Sequence, residues 1–129
     1  VLNSTILNDF GDAIRSYANT GLEDDQNLDN VGMDINIFRA FTEGYLSEAH
    51  NFLNDKELNY LSFAPRFITF EQVLRFLMDY IDGDNYYKLQ IQDHNLIRTR
   101  AQYRLLQSIE YQKSEMNAII NQLAKKYHL

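Results

Sequence analysis

Arg75 is the residue whose surroundings most need a chemical explanation. It stands between Leu74 and Phe76, inside Phe67–Ile81, a stretch that is apolar nearly all round. A guanidinium carries five donors, and burying it without acceptors is costly. Two kinds of partner fit. One is an acid, Asp79 one helical turn on at i+4 or a carboxylate elsewhere in the chain. The other is a ligand at a cleft edge, gripped by the planar fork. The run Asp82-Gly83-Asp84-Asn85-Tyr86-Tyr87 follows directly. Its polar and aromatic groups suit one wall of a sugar site, where side-chain forks meet hydroxyls and aromatic faces meet apolar ring patches.

Other tempting patterns fail on spacing. Asp82-Gly83-Asp84 invites a calcium loop, which needs oxygen ligands at positions 1, 3 and 5, glycine at 6 and glutamate at 12. Counted from Asp82, Tyr86 falls at 5, Tyr87 at 6 and Asp93 at 12, so a helix C-terminal turn is expected instead. Asp9-Phe10-Gly11 spells a protein-kinase metal motif. That motif requires a glycine-rich loop, a strand lysine and a catalytic aspartate upstream, and only eight residues precede Asp9. The three histidines, His50, His94 and His128, are far apart, and no second ligand lies at helical spacing. No zinc set is visible. His50 and His128 are placed near helix ends, where cations are ordinary. Neither a Gly-x-Ser-x-Gly elbow nor a phosphate-cradling glycine loop occurs.

Composition narrows the class. The 129 residues contain no cysteine, which excludes disulfides, Cys-ligated zinc, iron–sulfur clusters and a cysteine nucleophile. A net charge of −6 argues against nonspecific nucleic-acid binding. No apolar run approaches 18 residues, so no membrane span is expected. Charge is uneven: residues 1–64 hold 11 acids and 3 Lys/Arg (net −8), and residues 65–129 hold 7 and 9 (net +2). Such a bipolar surface serves docking or solubility.

The pattern of apolar positions predicts one all-α domain of about five helices over residues 1–129. Val1–Asn8 is β-prone and reads as an extended segment. Asp9 caps a short helix from about Phe10 to Tyr17. Gly21–Asn30 reads as a solvated acidic loop. Asp34 caps a helix to about His50, and Asn54 or Asp55 opens a third. Pro65 interrupts that helix or starts a new one. Phe67–Ile81 is read as the central, most buried helix. Asp93 caps a final long helix, about His94 to Tyr127, whose buried stripe includes Leu96, Tyr103, Leu106 and Ile109.

Three stretches together resemble a known family: Asn8-Asp9-Phe10-Gly11-Asp12-Ala13-Ile14-Arg15, Arg75-Phe76-Leu77-Met78-Asp79-Tyr80-Ile81-Asp82-Gly83-Asp84, and His94-Asn95-Leu96-Ile97-Arg98. Their order and spacing are similar to the C-terminal part of bacterial N-acetylhexosamine 1-kinases, within the aminoglycoside phosphotransferase and choline kinase superfamily. The resemblance implies a cytoplasmic enzyme that phosphorylates the anomeric hydroxyl of N-acetylglucosamine or N-acetylgalactosamine with ATP and Mg²⁺. It implies that the catalytic His-x-Asp loop and the metal Asp-x-Asp segment lie upstream of Val1. This chain would then be the acceptor-sugar part of the C-terminal lobe, inactive by itself, with the missing N-terminal part as its partner. By position, Arg75 and Tyr86 would contact the sugar. Asp9 would be a structural aspartate at the head of a helix bracing the catalytic loop, with no metal bound in this chain. Without tryptophan, an aromatic platform must be Tyr or Phe.

Relatives of that family also carry the label mucin-desulfating sulfatase. That chemistry needs a Cys or Ser in a Cys/Ser-x-Pro-x-Arg pattern, and the only proline, Pro65, follows Phe63 at that spacing. The competing expectation is a non-catalytic helical protein-interaction module. A lobe separated from a larger protein is also expected to expose an apolar patch, and a dimer to bury it.

Overall fold

The computed structural model describes residues 4–127, with side chains from residue 7 on. Its helices are α1 (Ser4–Tyr17), α2 (Ile35–Ala49), α3 (Asp55–Ile81), α4 (His94–Tyr111) and α5 (Lys113–Lys126), plus a 3-10 turn at Leu28–Asn30. The all-α expectation holds among the described residues. None of these helices is long and apolar enough to cross a membrane.

The third helix organises the domain. It packs most extensively against α1 and α4, while α5 docks on α2 and α3. α1 presents Leu7, Phe10 and Ile14 to the core at helical spacing, and Ala18, just past its end, is buried with them. Phe10 meets Phe38, Phe41 and Tyr45 with ring centroids 5.0–6.4 Å apart. Leu61 of α3, Leu105 and Ile109 of α4, and Met116 of α5 complete the centre.

Two helix starts follow the expected chemistry. The Asp34 carboxylate accepts the N–H of Asn36 at 2.9 Å and of Ile37 at 3.2 Å. Asn54 accepts the Glu57 N–H at 2.8 Å, and Glu57 accepts the Asn54 N–H at 3.2 Å, a complete capping box.

Other boundaries differ from expectation. Ser4–Asn8 is helical, not extended; Val1–Asn3 lie outside the described residues. Burial of Leu7 with Phe10 and Ile14 outweighs the β preference of that segment. Asp9 is therefore no cap: it sits exposed inside α1. Pro65 does not stop α3, which runs 27 residues through it. Packing on both sides of the proline outweighs the lost Leu61 hydrogen bond. The final helix is broken at Gln112. Its side-chain amide donates to the Met33 carbonyl at 2.7 Å, while Ser108 Oγ accepts the Met33 N–H at 2.9 Å. The α4–α5 junction thus pins the segment entering α2. Of the expected stripe, Leu106 and Ile109 are buried, Leu96 is half-buried and Tyr103 is exposed; Ala101 and Leu105 are buried beside them.

The acidic loop is more structured than its composition suggests. An isolated antiparallel bridge joins Asn19 and Met33. Asp25 accepts backbone N–H groups from Leu22 at 3.1 Å and Asn27 at 3.0 Å. Those bonds hold its carboxyl below the ordinary range, led by the bond from Leu22 and opposed by partial burial.

Asp9-Phe10-Gly11 has a packing explanation. Phe10 is core, and Gly11 lets α1 approach α3: a Cβ there would lie 2.7 Å from the Ala64 carbonyl oxygen. Gly44, by contrast, faces open space on α2. Gly11→Ala is expected to destabilise by about 1–3 kcal/mol through overpacking. Gly44→Ala is expected to stabilise by about 0.5–1 kcal/mol. Urea unfolding of both variants checks this pair of opposite signs.

Candidate functional site

The connection between α3 and α4 is built around one carboxylate. Asp79 is 6% exposed. Its Oδ1 accepts the Tyr86 N–H at 2.7 Å. Its Oδ2 accepts the Tyr87 N–H at 2.9 Å and the Asn95 side-chain amide at 2.6 Å. Burial pushes the carboxyl up, but the N–H groups of Tyr87 and Tyr86, the Asn95 amide and the Asn85 N–H together hold it below its ordinary value.

The helix end supplies the second half of the turn. The Asp84 N–H donates to the Asp79 carbonyl at 2.7 Å, and the Gly83 N–H to the Tyr80 carbonyl at 3.2 Å. This 6→1 and 5→2 pair is a Schellman cap, with Gly83 at φ +94° in the left-handed position that such a cap requires. Asp84 also takes a positive φ and accepts the buried Asn95 amide at 3.0 Å. Asp82-Gly83-Asp84 is therefore a helix C-terminal turn, as its spacing predicts.

The first turn of α4 reaches back to the same loop. Arg98 donates to Asn95 Oδ1 at 3.0 Å and to the Lys88 carbonyl at 3.1 Å, and lies 5.5 Å from the Phe76 ring centroid. Phe76 packs on Tyr87, whose hydroxyl accepts the Gln72 amide at 3.2 Å. His94 is buried. It donates from Nε2 to Asp24 at 2.8 Å while Nδ1 accepts the Gln90 N–H at 3.2 Å, which ties the acidic loop to α4. Asp93 precedes α4 with φ +55° and makes no side-chain cap.

Arg75 is exposed, not buried as its apolar neighbours in sequence suggested. Among the described residues it makes no hydrogen bond or ion pair, and Asp79 is committed elsewhere. Arg75 instead edges an open cleft of about 380 Å³ lined by Arg75, Met78, Asp79, Asp82, Tyr86 and Tyr87. Tyr86 lines the same cleft, 82% exposed, with its ring edge-to-face on Tyr87 at 4.9 Å. The structure therefore brings Arg75 and Tyr86 to one cleft and leaves Asp9 on α1. Met78 and Tyr87 also line it; no pattern in the sequence separates them from ordinary core residues. A larger hollow on α4, about 520 Å³, is lined by Tyr103, Leu106, Gln107, Glu110 and Tyr111, without converging cations.

Chemically, the cleft offers a free guanidinium, an acidic side chain at Asp82 and an exposed phenol ring. These are donors, an acceptor and a stacking face for a small polyhydroxylated ligand. Among the described residues no three His, Asp or Glu side chains are grouped to hold a metal ion. His128 lies outside the described residues. No family model matches the chain.

The Asp79 carboxylate has a depressed pKa in the folded state, so its stabilising contribution is present above its unfolded value of about 4 and is lost as pH falls through the folded one. Asp79→Asn keeps the shape but loses the charge. Its Tm is expected to lie below that of the unmodified chain at neutral pH. The gap is expected to narrow as pH falls below about 4, where the carboxyl of the unfolded chain begins to protonate, and to close as pH falls through the lower folded value. Thermal unfolding across that range checks it.

Proposed function

We propose that this chain is the acceptor-sugar-binding part of an ATP-dependent N-acetylhexosamine 1-kinase, with Arg75 and Tyr86 contacting the sugar. One observation carries the reading: the two residues that the resemblance assigns to the sugar edge the same cleft, and Arg75 is not neutralised by a neighbouring acid. Arg75 would donate to hydroxyl or acetamido oxygens, Asp82 would accept from hydroxyls, and Tyr86 would cover an apolar ring face. Tyr86 supplies the aromatic platform that the absence of tryptophan requires. ATP, Mg²⁺ and the catalytic aspartate belong, in this reading, to a part of the protein outside these 129 residues, so the chain by itself transfers no phosphoryl group.

A second reading, a non-catalytic helical protein-interaction module, is favoured by a different feature. The face of α3 away from α1 and α4 exposes a row of large apolar side chains, including Phe67, Phe70 and Ile81.

Titrating the ¹⁵N-labelled chain with N-acetylglucosamine and N-acetylgalactosamine separates the two. The sugar reading expects shifts confined to the amides of Tyr86 and Tyr87 and the Nε–H of Arg75. It expects affinity at least about tenfold weaker in Arg75→Ala and in Tyr86→Ala, the loss of about 1.4 kcal/mol of contact. Unperturbed spectra at saturating sugar, or equal affinity in both variants, would contradict it.

A further inference from the structure

Phe63, Phe67, Phe70, Leu74, Leu77 and Ile81 recur along α3 at intervals of 4, 3, 4, 3 and 4 residues. That is the heptad spacing of a helix that pairs with another helix through a 3.5-residue seam. It is a different row from the side of α3 already in use, where Leu61, Ala64, Pro65, Thr69, Val73 and Phe76 are buried. The exposed stripe runs from Phe63 to Ile81, 18 residue steps or about 27 Å of helix. Its members are partly bare: Phe63 and Leu74 are 40% exposed, Ile81 is 71%, and Met78 beside the seam is 61%. No charged residue falls within the stripe; Arg66 and Glu71 border it on opposite sides.

The interval pattern reads the same in both directions, so a two-fold axis between Phe70 and Leu74 maps the stripe onto itself. The residue types add a preference. Phenylalanines fill its N-terminal half and aliphatic residues its C-terminal half. In an antiparallel pair, Phe63 faces the partner's Ile81, Phe67 the partner's Leu77 and Phe70 the partner's Leu74. Each aromatic ring then meets a smaller aliphatic side chain, the large-against-small alternation that close packing favours. A parallel pair would set three Phe–Phe contacts at one end and only aliphatic contacts at the other.

The area suffices. With about 200 Å² for each large apolar side chain, the exposed fractions of Phe63, Phe67, Phe70, Leu74 and Ile81, together with Met78 beside them, leave roughly 600 Å² of apolar surface on each copy. Two copies bury about 1,200 Å², the lower edge of stable interfaces. We infer that α3 docks on a second copy of this chain, antiparallel and two-fold symmetric, through the Phe63–Ile81 stripe. This rests on the stripe alone and not on the sugar reading.

The sequence contains no cysteine, so orientation can be read with introduced thiols. Sedimentation equilibrium of the chain from about 1 to about 100 μM, a span set by an interface of this size, should show a monomer–dimer equilibrium. Leu74→Glu should weaken it at least about 100-fold with unchanged helical circular dichroism. Oxidising a mixture of Phe63→Cys and Ile81→Cys chains should give the mixed disulfide in preference to either symmetric one. A chain that is monomeric throughout, a dimer indifferent to Leu74→Glu in a folded variant, or a preponderance of symmetric disulfides would overturn the inference. Should Leu74→Glu lose its helical signal, sedimentation of the unmodified chain and the disulfide pattern decide between the same two results.

Discussion

The donors gathered on the Asp79 carboxylate fix the α3–α4 connection. Three donors converge on two oxygens that are nearly removed from water. Two of those donors are backbone N–H groups of Tyr86 and Tyr87, so the carboxylate holds chain direction as well as a side chain. A buried carboxylate without them would be strongly unfavourable. With them, the loop is locked to the last turn of α3, and the Schellman cap at Gly83 completes the reversal. Asn95 then carries the constraint into α4 through its bonds to Asp79 and Asp84.

The cleft is a by-product of that clamp. Tyr86 projects outward because its own N–H is held inward, and its ring rests on Tyr87, which is anchored against Phe76 and Gln72. Arg75 is left free because the acid one turn away is already saturated. The same arrangement thus leaves a cationic and an aromatic side chain lining one opening. It also accounts for the residues Arg75-Phe76-Leu77-Met78-Asp79-Tyr80-Ile81-Asp82-Gly83-Asp84 as a local unit: Phe76 packs under the loop, Asp79 clamps it, and Gly83 with Asp84 turns it.

Much of this was legible in the sequence where local chemistry decides the outcome. Asp34 and Asn54 cap helices because a side-chain acceptor two or three residues before free N–H groups acts locally. Gly83 ends α3 for an equally local reason. What escaped depends on distant partners. Ser4–Asn8 is helical because Leu7 is buried with Phe10 and Ile14. α3 passes Pro65 because both of its halves are packed, and α4 breaks at Gln112, where the Met33 carbonyl, 79 residues away in sequence, takes its amide. The apolar ring of Phe67–Ile81 was read as burial on all sides. It is in fact two stripes, one packed on α1 and α4 and one bare, which periodicity alone does not tell apart. For the same reason Arg75 looked buried, and its freedom became visible only once the partners of Asp79 were known.

Amide hydrogen exchange at Tyr86 and Tyr87 tests the clamp most directly. Both N–H groups lie in a loop outside any helix, where exchange is ordinarily fast. If Asp79 holds them, they exchange as slowly as the amides in the last turns of α3 at neutral pH, and Asp79→Ala releases both together. Exchange at the rate of an open loop in the unmodified chain, or protection that survives Asp79→Ala, would contradict the account.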